Sequence, residues 1–90
     1  MMLATTTVED FDRFLGVFTG KSAVKRKQHG SKGALVFRDP NEPERVWVIF
    51  DWDEKGFQNF ATDPDVPPIL KEAGHKSRPQ VLTLESRCQS

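Results

Sequence analysis

Gly33-Ala-Leu-Val-Phe-Arg38 and Arg45-Val-Trp-Val-Ile-Phe-Asp-Trp52, with Asp39-Pro-Asn-Glu-Pro-Glu44 between them, decide how this chain of 90 residues folds. Both outer segments are rich in β-branched and aromatic side chains, which suit a pleated surface. The two prolines and the Asn between them cannot continue a ladder, so that stretch is a turn and its flanks pair as an antiparallel hairpin. A sheet covered on one face alternates apolar and polar residues along each strand. These two do not: Ala34-Leu-Val-Phe37 and Val46-Trp-Val-Ile-Phe50 are apolar at both parities. Something must cover the second face, and in so short a chain the economical cover is another copy related by a two-fold axis. Phe37, Trp47 and Ile49 are the expected dimer contacts. The plainer alternative is a set of exposed aromatics that the surface tolerates.

Outward from the hairpin, Met2-Leu-Ala-Thr-Thr-Thr7 reads as a first strand. Thr7-Val-Glu-Asp10 resembles a capping box, and Val8, Phe11, Phe14, Leu15 and Phe18 follow as one helical stripe. Gly20 weakens or ends that helix, and Ser22 to Gln28 add a turn or two. Asp53 can cap a second helix carrying Phe57, Phe60 and Ala61. Residues 67–73 read as a short helix opened by prolines and stopped by Gly74. Gln80 to Glu85 is the last strand, and the final five residues look frayed. The order is β-α-β-β-α-β: an α+β, ferredoxin-like protomer with a four-stranded antiparallel sheet. Residues 1–90 form one domain in this reading, with a core of about 2–85.

Hydrophobic residues make up 37% and charged residues 29%, with 13 basic side chains against 13 acidic ones. That balance excludes a disordered tail, and the five-residue apolar run from Val46 to Phe50 is far too short to span a bilayer. No signal peptide is evident, and the lone Cys88 excludes a disulfide framework and a thiolate zinc site, so a cytoplasmic location is expected. Residues 21–32 hold five cations and no acid, whereas residues 39–65 hold eight acids and two bases. Zero net charge and the lack of an RNA-recognition aromatic pattern make the basic run a solvated face. Neither a nucleic-acid nor a membrane partner is expected.

Trp52 closes a strand between two acids. It can form a flat wall for an aromatic ligand, with the indole N–H as orienting donor, or it can be a core residue packed on Phe57 or Phe60. The seven phenylalanines can line a cavity or simply fill the core. His75 and His29 are the side chains that titrate near neutrality. His75, in Gly-His-Lys-Ser-Arg78, is the natural general base for a phenol or enol proton, against the alternative of a surface-loop histidine. His29 looks like a helix-terminal cation. Two histidines 46 residues apart make no metal motif, and no catalytic triad signature, P-loop or dinucleotide-binding motif occurs.

Val8-Glu-Asp-Phe-Asp-Arg-Phe14, Val36-Phe-Arg-Asp-Pro-Asn41, Arg45-Val-Trp-Val48, Asp51-Trp-Asp53 and Asp63-Pro-Asp-Val66 with Leu70-Lys-Glu-Ala-Gly74 together resemble the dimeric α/β-barrel superfamily. The branch they resemble is that of the antibiotic biosynthesis monooxygenase (ABM)-like domains, over residues 5–85. The resemblance implies ferredoxin-like protomers whose sheets join as a barrel, with an apolar ligand held between sheet and helices. Trp52 matches a pocket-bordering Trp of the monooxygenases. Those enzymes carry an Asn four residues earlier, where this chain has Val48. The heme-degrading branch uses an Asn on the first strand, where this chain offers Thr5, Thr6 and Thr7. Two functions follow. One is a homodimer that binds a small aromatic or polyketide-like molecule and acts as a cofactor-independent monooxygenase. Its pocket would comprise Trp52, Phe14, Phe18, Phe57, Phe60, Thr5 and Thr7, with His75 as the catalytic base, or a threonine of the first strand handling the proton, and neither cofactor nor metal. The other is a non-catalytic dimeric binding or accessory domain with a filled core.

Overall fold

The computed structural model describes residues 1–84. Its elements, in chain order, are β1 (Met2–Thr7), α1 (Phe11–Thr19), α2 (Lys21–Gln28), β2 (Ala34–Arg38), β3 (Arg45–Phe50), α3 (Glu54–Thr62), α4 (Val66–Glu72) and β4 (Gln80–Thr83). The strands form one antiparallel sheet in the order β2-β3-β1-β4. This is the ferredoxin-like α+β architecture, and the hairpin pairs as expected, with Leu35 opposite Ile49 and Phe37 opposite Trp47. The expected ends of the last strand at Glu85 and of the tail, including Cys88, lie outside the described residues. Among the described residues no helix is long and apolar enough to cross a membrane.

The pleat assigns each residue to a face. Met2, Ala4 and Thr6 on β1 and Val46, Val48 and Phe50 on β3 are buried beneath the helices. The opposite parity, with Leu35, Phe37, Trp47, Ile49 and Leu82, faces away from them. Leu35, Phe37 and Leu82 keep 61%, 51% and 65% of their surface open, too much for side chains that belong to a core. Trp47 is half-covered, because its indole N–H donates to Asp39 Oδ2 at 2.9 Å.

Two local expectations are corrected. The first helix begins at Phe11, capped by Asp10, whose carboxylate accepts from the Arg13 N–H at 3.0 Å. Thr7 and Val8 are instead extended: Val8 donates its N–H to the Glu44 carbonyl and bridges to His75, so backbone pairing outcompetes the capping box. The basic run is also not uniformly solvated. Arg26 is buried with its guanidinium 3.8 Å above the Phe18 ring, donating to Ser22 Oγ at 2.7 Å and to the Phe18 carbonyl at 3.0 Å. It closes the corner that Gly20 makes between α1 and α2, and burial lowers its pKa to about 10. The second cap is as expected, with Asp53 accepting from the Gly56 N–H at 2.7 Å. Gly74 stops the segment after α4 with φ of 79°, a conformation that glycine adopts without cost.

Candidate functional site

The space between sheet and helices holds a continuous row of rings. Starting from His75, centroids lie 5.8 Å apart to Phe14, 5.2 Å from Phe14 to Phe18 and 6.1 Å from Phe18 to Phe50. Phe50 then stacks on Trp52 at 5.3 Å, and Trp52 meets Phe60 at 5.4 Å and Phe57 at 5.9 Å. These separations are those of direct aromatic contact, so the row is packed. The helical spacing of Phe14 and Phe18, and of Phe57 and Phe60, delivers both pairs to the same side of the sheet. Phe50 and Trp52 share the parity of β3 that points there.

Trp52 is 5% exposed, and its Nε1 is buried without a hydrogen-bond partner among the described residues. A buried donor left unpaired costs about 1–3 kcal/mol, and most buried polar groups in proteins avoid that cost. Trp52 also forms part of the wall of a cleft of about 470 Å³, with His29, Gly30, Gly56 and Asn59 around it. This is the end of the sheet where Met2 pairs with Phe50.

His75 lies at the other end. Its Nδ1 is 3.0 Å from the hydroxyl of Thr6, and that hydroxyl is 3.1 Å from the Ser77 carbonyl, to which it donates. Thr6 Oγ1 therefore accepts from His75 Nδ1–H, which leaves the Nε2 lone pair unprotonated in the neutral ring. Burial pushes the His75 pKa below its ordinary value. The ring borders a second cleft, of about 630 Å³, with Glu9, Arg13, Lys71 and Arg78.

The expected site is thus split and partly re-faced. His75 bridges to Val8, so about 20 Å separates it from the Trp52 end, taking roughly 3.3 Å per residue along β1. His75 cannot serve as base for a ligand lying on Trp52. Thr5 and Thr7 have the parity of the open face and do not line the space beneath the helices. Thr5 Oγ1 is engaged by Val46 O and by Arg45 Nη1, and Thr7 Oγ1 by Ser77 Oγ. Thr6 is the threonine that faces the helices. Phe57 and Phe60 do meet the Trp52 ring and Phe18 meets Phe50, whereas Phe14 joins the row only through Phe18.

Sequence reading passed over a second feature of the Trp52 cleft. His29 Nε2 lies 2.9 Å from Asp63 Oδ2, and Lys25 Nζ reaches the same oxygen at 3.2 Å and Asp65 at 2.9 Å. The His29 bond, the Asp65 N–H and Lys25 hold the Asp63 carboxyl at a pKa of about 2. No periodicity links residues 29 and 63. The one available signal was Asp63-Pro-Asp65, an acidic turn whose partner cations had to be somewhere. Among the described residues no group of three or more His, Cys, Asp or Glu side chains converges as a metal site.

No protein-family model matches this sequence, and none of the curated proteins matches it significantly. Similarity emerges in three dimensions. SnoaB, a cofactor-independent oxygenase from Streptomyces nogalater, superposes with a TM-score of 0.74 at 18% identity, over 99% of this chain and 95% of its own. A Bordetella bronchiseptica protein described as an antibiotic biosynthesis monooxygenase gives 0.78 at 17% identity, over 97% and 95%. A Deinococcus radiodurans protein of the same description gives 0.69 at 13% identity, over 100% and 98%. At such identities the likeness speaks for architecture, and chemistry has to be argued from side chains. The chain carries the ferredoxin-like α+β fold of the antibiotic biosynthesis monooxygenases.

Proposed function

We propose that the protein binds a small, planar, apolar molecule at the Trp52 end of its sheet. The observation that carries this reading is the Trp52 indole N–H, a buried donor with no acceptor among the described residues, on a ring that packs among aromatic side chains and also walls a cleft. A planar ligand with one acceptor oxygen would satisfy that donor and extend the ring packing. The resemblance to the ABM-like domains implies a phenol or quinol of polyketide type as the ligand class, and the fold shared with SnoaB, a cofactor-independent oxygenase, supports cofactor-independent oxygenation as the reaction. Titration with a panel of planar quinols, followed by calorimetry, tests binding. Trp52→Phe keeps the ring bulk and removes the donor, so affinity should fall about tenfold, the worth of one hydrogen bond. Unchanged affinity would sink the site. For the reaction, oxygen uptake above the buffer rate should be present in wild type and lost in Trp52→Ala.

A second reading has its own observation. Phe14, Phe18, Phe50 and Trp52 pack in an unbroken row, and Val48, four residues before Trp52, is buried among them. That is the filled core of a non-catalytic binding or accessory domain, and background oxygen uptake together with no quinol binding would select it.

In either reading the working unit is a homodimer. The face carrying Leu35, Phe37, Trp47, Ile49 and Leu82 has no cover from its own helices, and a second sheet would bury it. Sedimentation at micromolar concentration should give twice the 10.2 kDa chain mass, and Phe37→Glu should give the monomer.

A further inference from the structure

We propose that His29, oriented by Asp63, is a proton acceptor at the wall of the Trp52 cleft, and that the ligand is a neutral weak acid, a phenol or enol, held there as its anion. This deepens the reading above and rests on occupation of that cleft. His29 is the C-cap of α2, and Asp63 directly follows α3, so the dyad joins two helix ends beside the cleft. The first turn of α3 packs against the His29 backbone so closely that a Cβ at Gly56 would lie 2.7 Å from the His29 carbonyl oxygen. The imidazole is therefore carried on a fixed support.

Asp63 is held from several sides. It accepts from Lys25 Nζ at 3.2 Å, from the Asp65 N–H at 2.9 Å and from His29 Nε2 at 2.9 Å, and its side chain is only 12% exposed. An ionised carboxylate at that distance keeps the proton of the neutral ring on Nε2 and leaves the lone pair on Nδ1. His29 Nδ1 has no hydrogen-bond partner among the described residues. This is the arrangement by which a carboxylate fixes the tautomer of a histidine base and stabilises the imidazolium once formed. The charged groups facing His29 are Lys25, Asp63 and Asp65 behind it, and Lys32, Asp51, Asp53, Lys55 and the α-ammonium of Met1 around the cleft. The side chains of Lys32 and Lys55 balance those of Asp51 and Asp53, and the Met1 α-ammonium adds a positive charge that favours the bound anion. On binding, the ligand O–H bond breaks, its oxygen keeps the electron pair, and the proton forms the Nδ1–H bond. Trp52 Nε1, buried and without an acceptor among the described residues, becomes a donor for the new oxyanion once the ligand displaces the side chains over it. No oxidant enters this step.

The test uses the full chain, with para-nitrophenol and its methyl ether, para-nitroanisole, as probes, at a pH where free para-nitrophenol is mostly protonated. Wild type should bind both probes by tryptophan quenching and show the phenolate absorption band only with the phenol. His29→Gln should still bind both and lose most of that band, and Asp63→Asn should shift the band's pH midpoint upward. Quenching by both probes with no phenolate band, or with the same band in His29→Gln, overturns the dyad and leaves the Trp52 site standing. No quenching by either probe overturns both. Should the variants fail to fold, nitrogen NMR of wild type decides. Saturating para-nitrophenol should raise the share of His29 rings that carry a proton on Nδ1, and an unmoved Nδ1 signal overturns the proposal.

Discussion

His29 and His75 stand at opposite ends of one sheet and differ in what meets their polar flank. His75 faces a hydroxyl, Thr6 Oγ1, and the ring meets the edge of Phe14. Neither neighbour offsets a positive charge, so burial favours the neutral ring. His29 faces a carboxylate that is itself tied to Lys25 and to its own loop. A proton arriving on His29 meets a partner anion; one arriving on His75 meets none. The first arrangement suits proton transfer. The second suits a tie, and it fastens the segment after α4 to β1 through the Val8 bridge and the Lys76 N–H bonded to Thr7 O. The residue type is the same, and its partner decides the role.

The largest expected effect is on the row of rings between the two ends. Phe14 is 2% exposed and touches both Phe18 and His75, so Phe14→Ala should cost about 3–5 kcal/mol in urea unfolding. The opened space should also let water reach His75 and return its pKa toward 6.5, while the His29 ring resonances stay in place. A cost below about 1 kcal/mol would mean that the row is not a packed unit. If both histidines responded alike, the two ends would not be independent.

The fold was legible because its signals are local. Parity at both faces of Ala34–Phe37 and Val46–Phe50 marked the hairpin and the uncovered face, and the helical spacing of Phe11, Phe14 and Phe18 marked α1. The start of α1 was misread because Thr7-Val-Glu-Asp10 fits a capping box, while the competing offer, extended pairing of Val8 with Glu44 and His75, came from residues far along the chain. The site was less legible for the same reason. Packing of Trp52 on Phe57 or Phe60 was one of two readings the sequence left open, and the structure shows both contacts. That His75 would lie a sheet's length from Trp52, and that His29 would meet Asp63 instead, depends on which strand ends and loops converge. Strand parity gives a face, and only the register gives an end. Thr5, Thr6 and Thr7 illustrate this: the type of residue was noted, and the pleat then chose Thr6 alone for the helix side.

At the His29 end, Gly56→Ala tests the rigidity of the support. The added methyl would sit 2.7 Å from a backbone oxygen, and overpacking of this kind costs roughly 1–3 kcal/mol. Helix propensity returns about 1 kcal/mol at most, so a modest net loss of stability is expected by urea unfolding. A stabilised variant would show that α3 can slide away from His29, and the dyad would lose its fixed platform. Removing the helix cap nearby, with Asp53→Ala, should cost about 1 kcal/mol in the same measurement.

The smallest effect separates the two histidines by pH alone. The His75 pKa is lowered in the folded state from an ordinary value of 6.5, because burial disfavours the charged ring. Below about pH 6.5 the unfolded chain takes up a proton that the folded chain refuses, so its proton count exceeds that of the folded state. Stability therefore falls as pH drops through that window and levels off below the folded-state value. His75→Gln cannot take up that proton, so the stability advantage of wild type over His75→Gln should shrink between pH values on either side of 6.5. Asp63 behaves in the opposite way. Its lowered pKa, about 2 against an ordinary 3.8, gives a contribution that is intact above 3.8 and lost only as pH falls toward 2. Around neutrality Asp63 stays ionised throughout, so in a His29→Gln background, where no imidazole is coupled to it, Asp63→Asn should give a stability difference that is flat across the range where the His75→Gln difference slopes. Two urea-midpoint series over the same pH values would show it, and parallel slopes would mean that the two ends respond to protons alike.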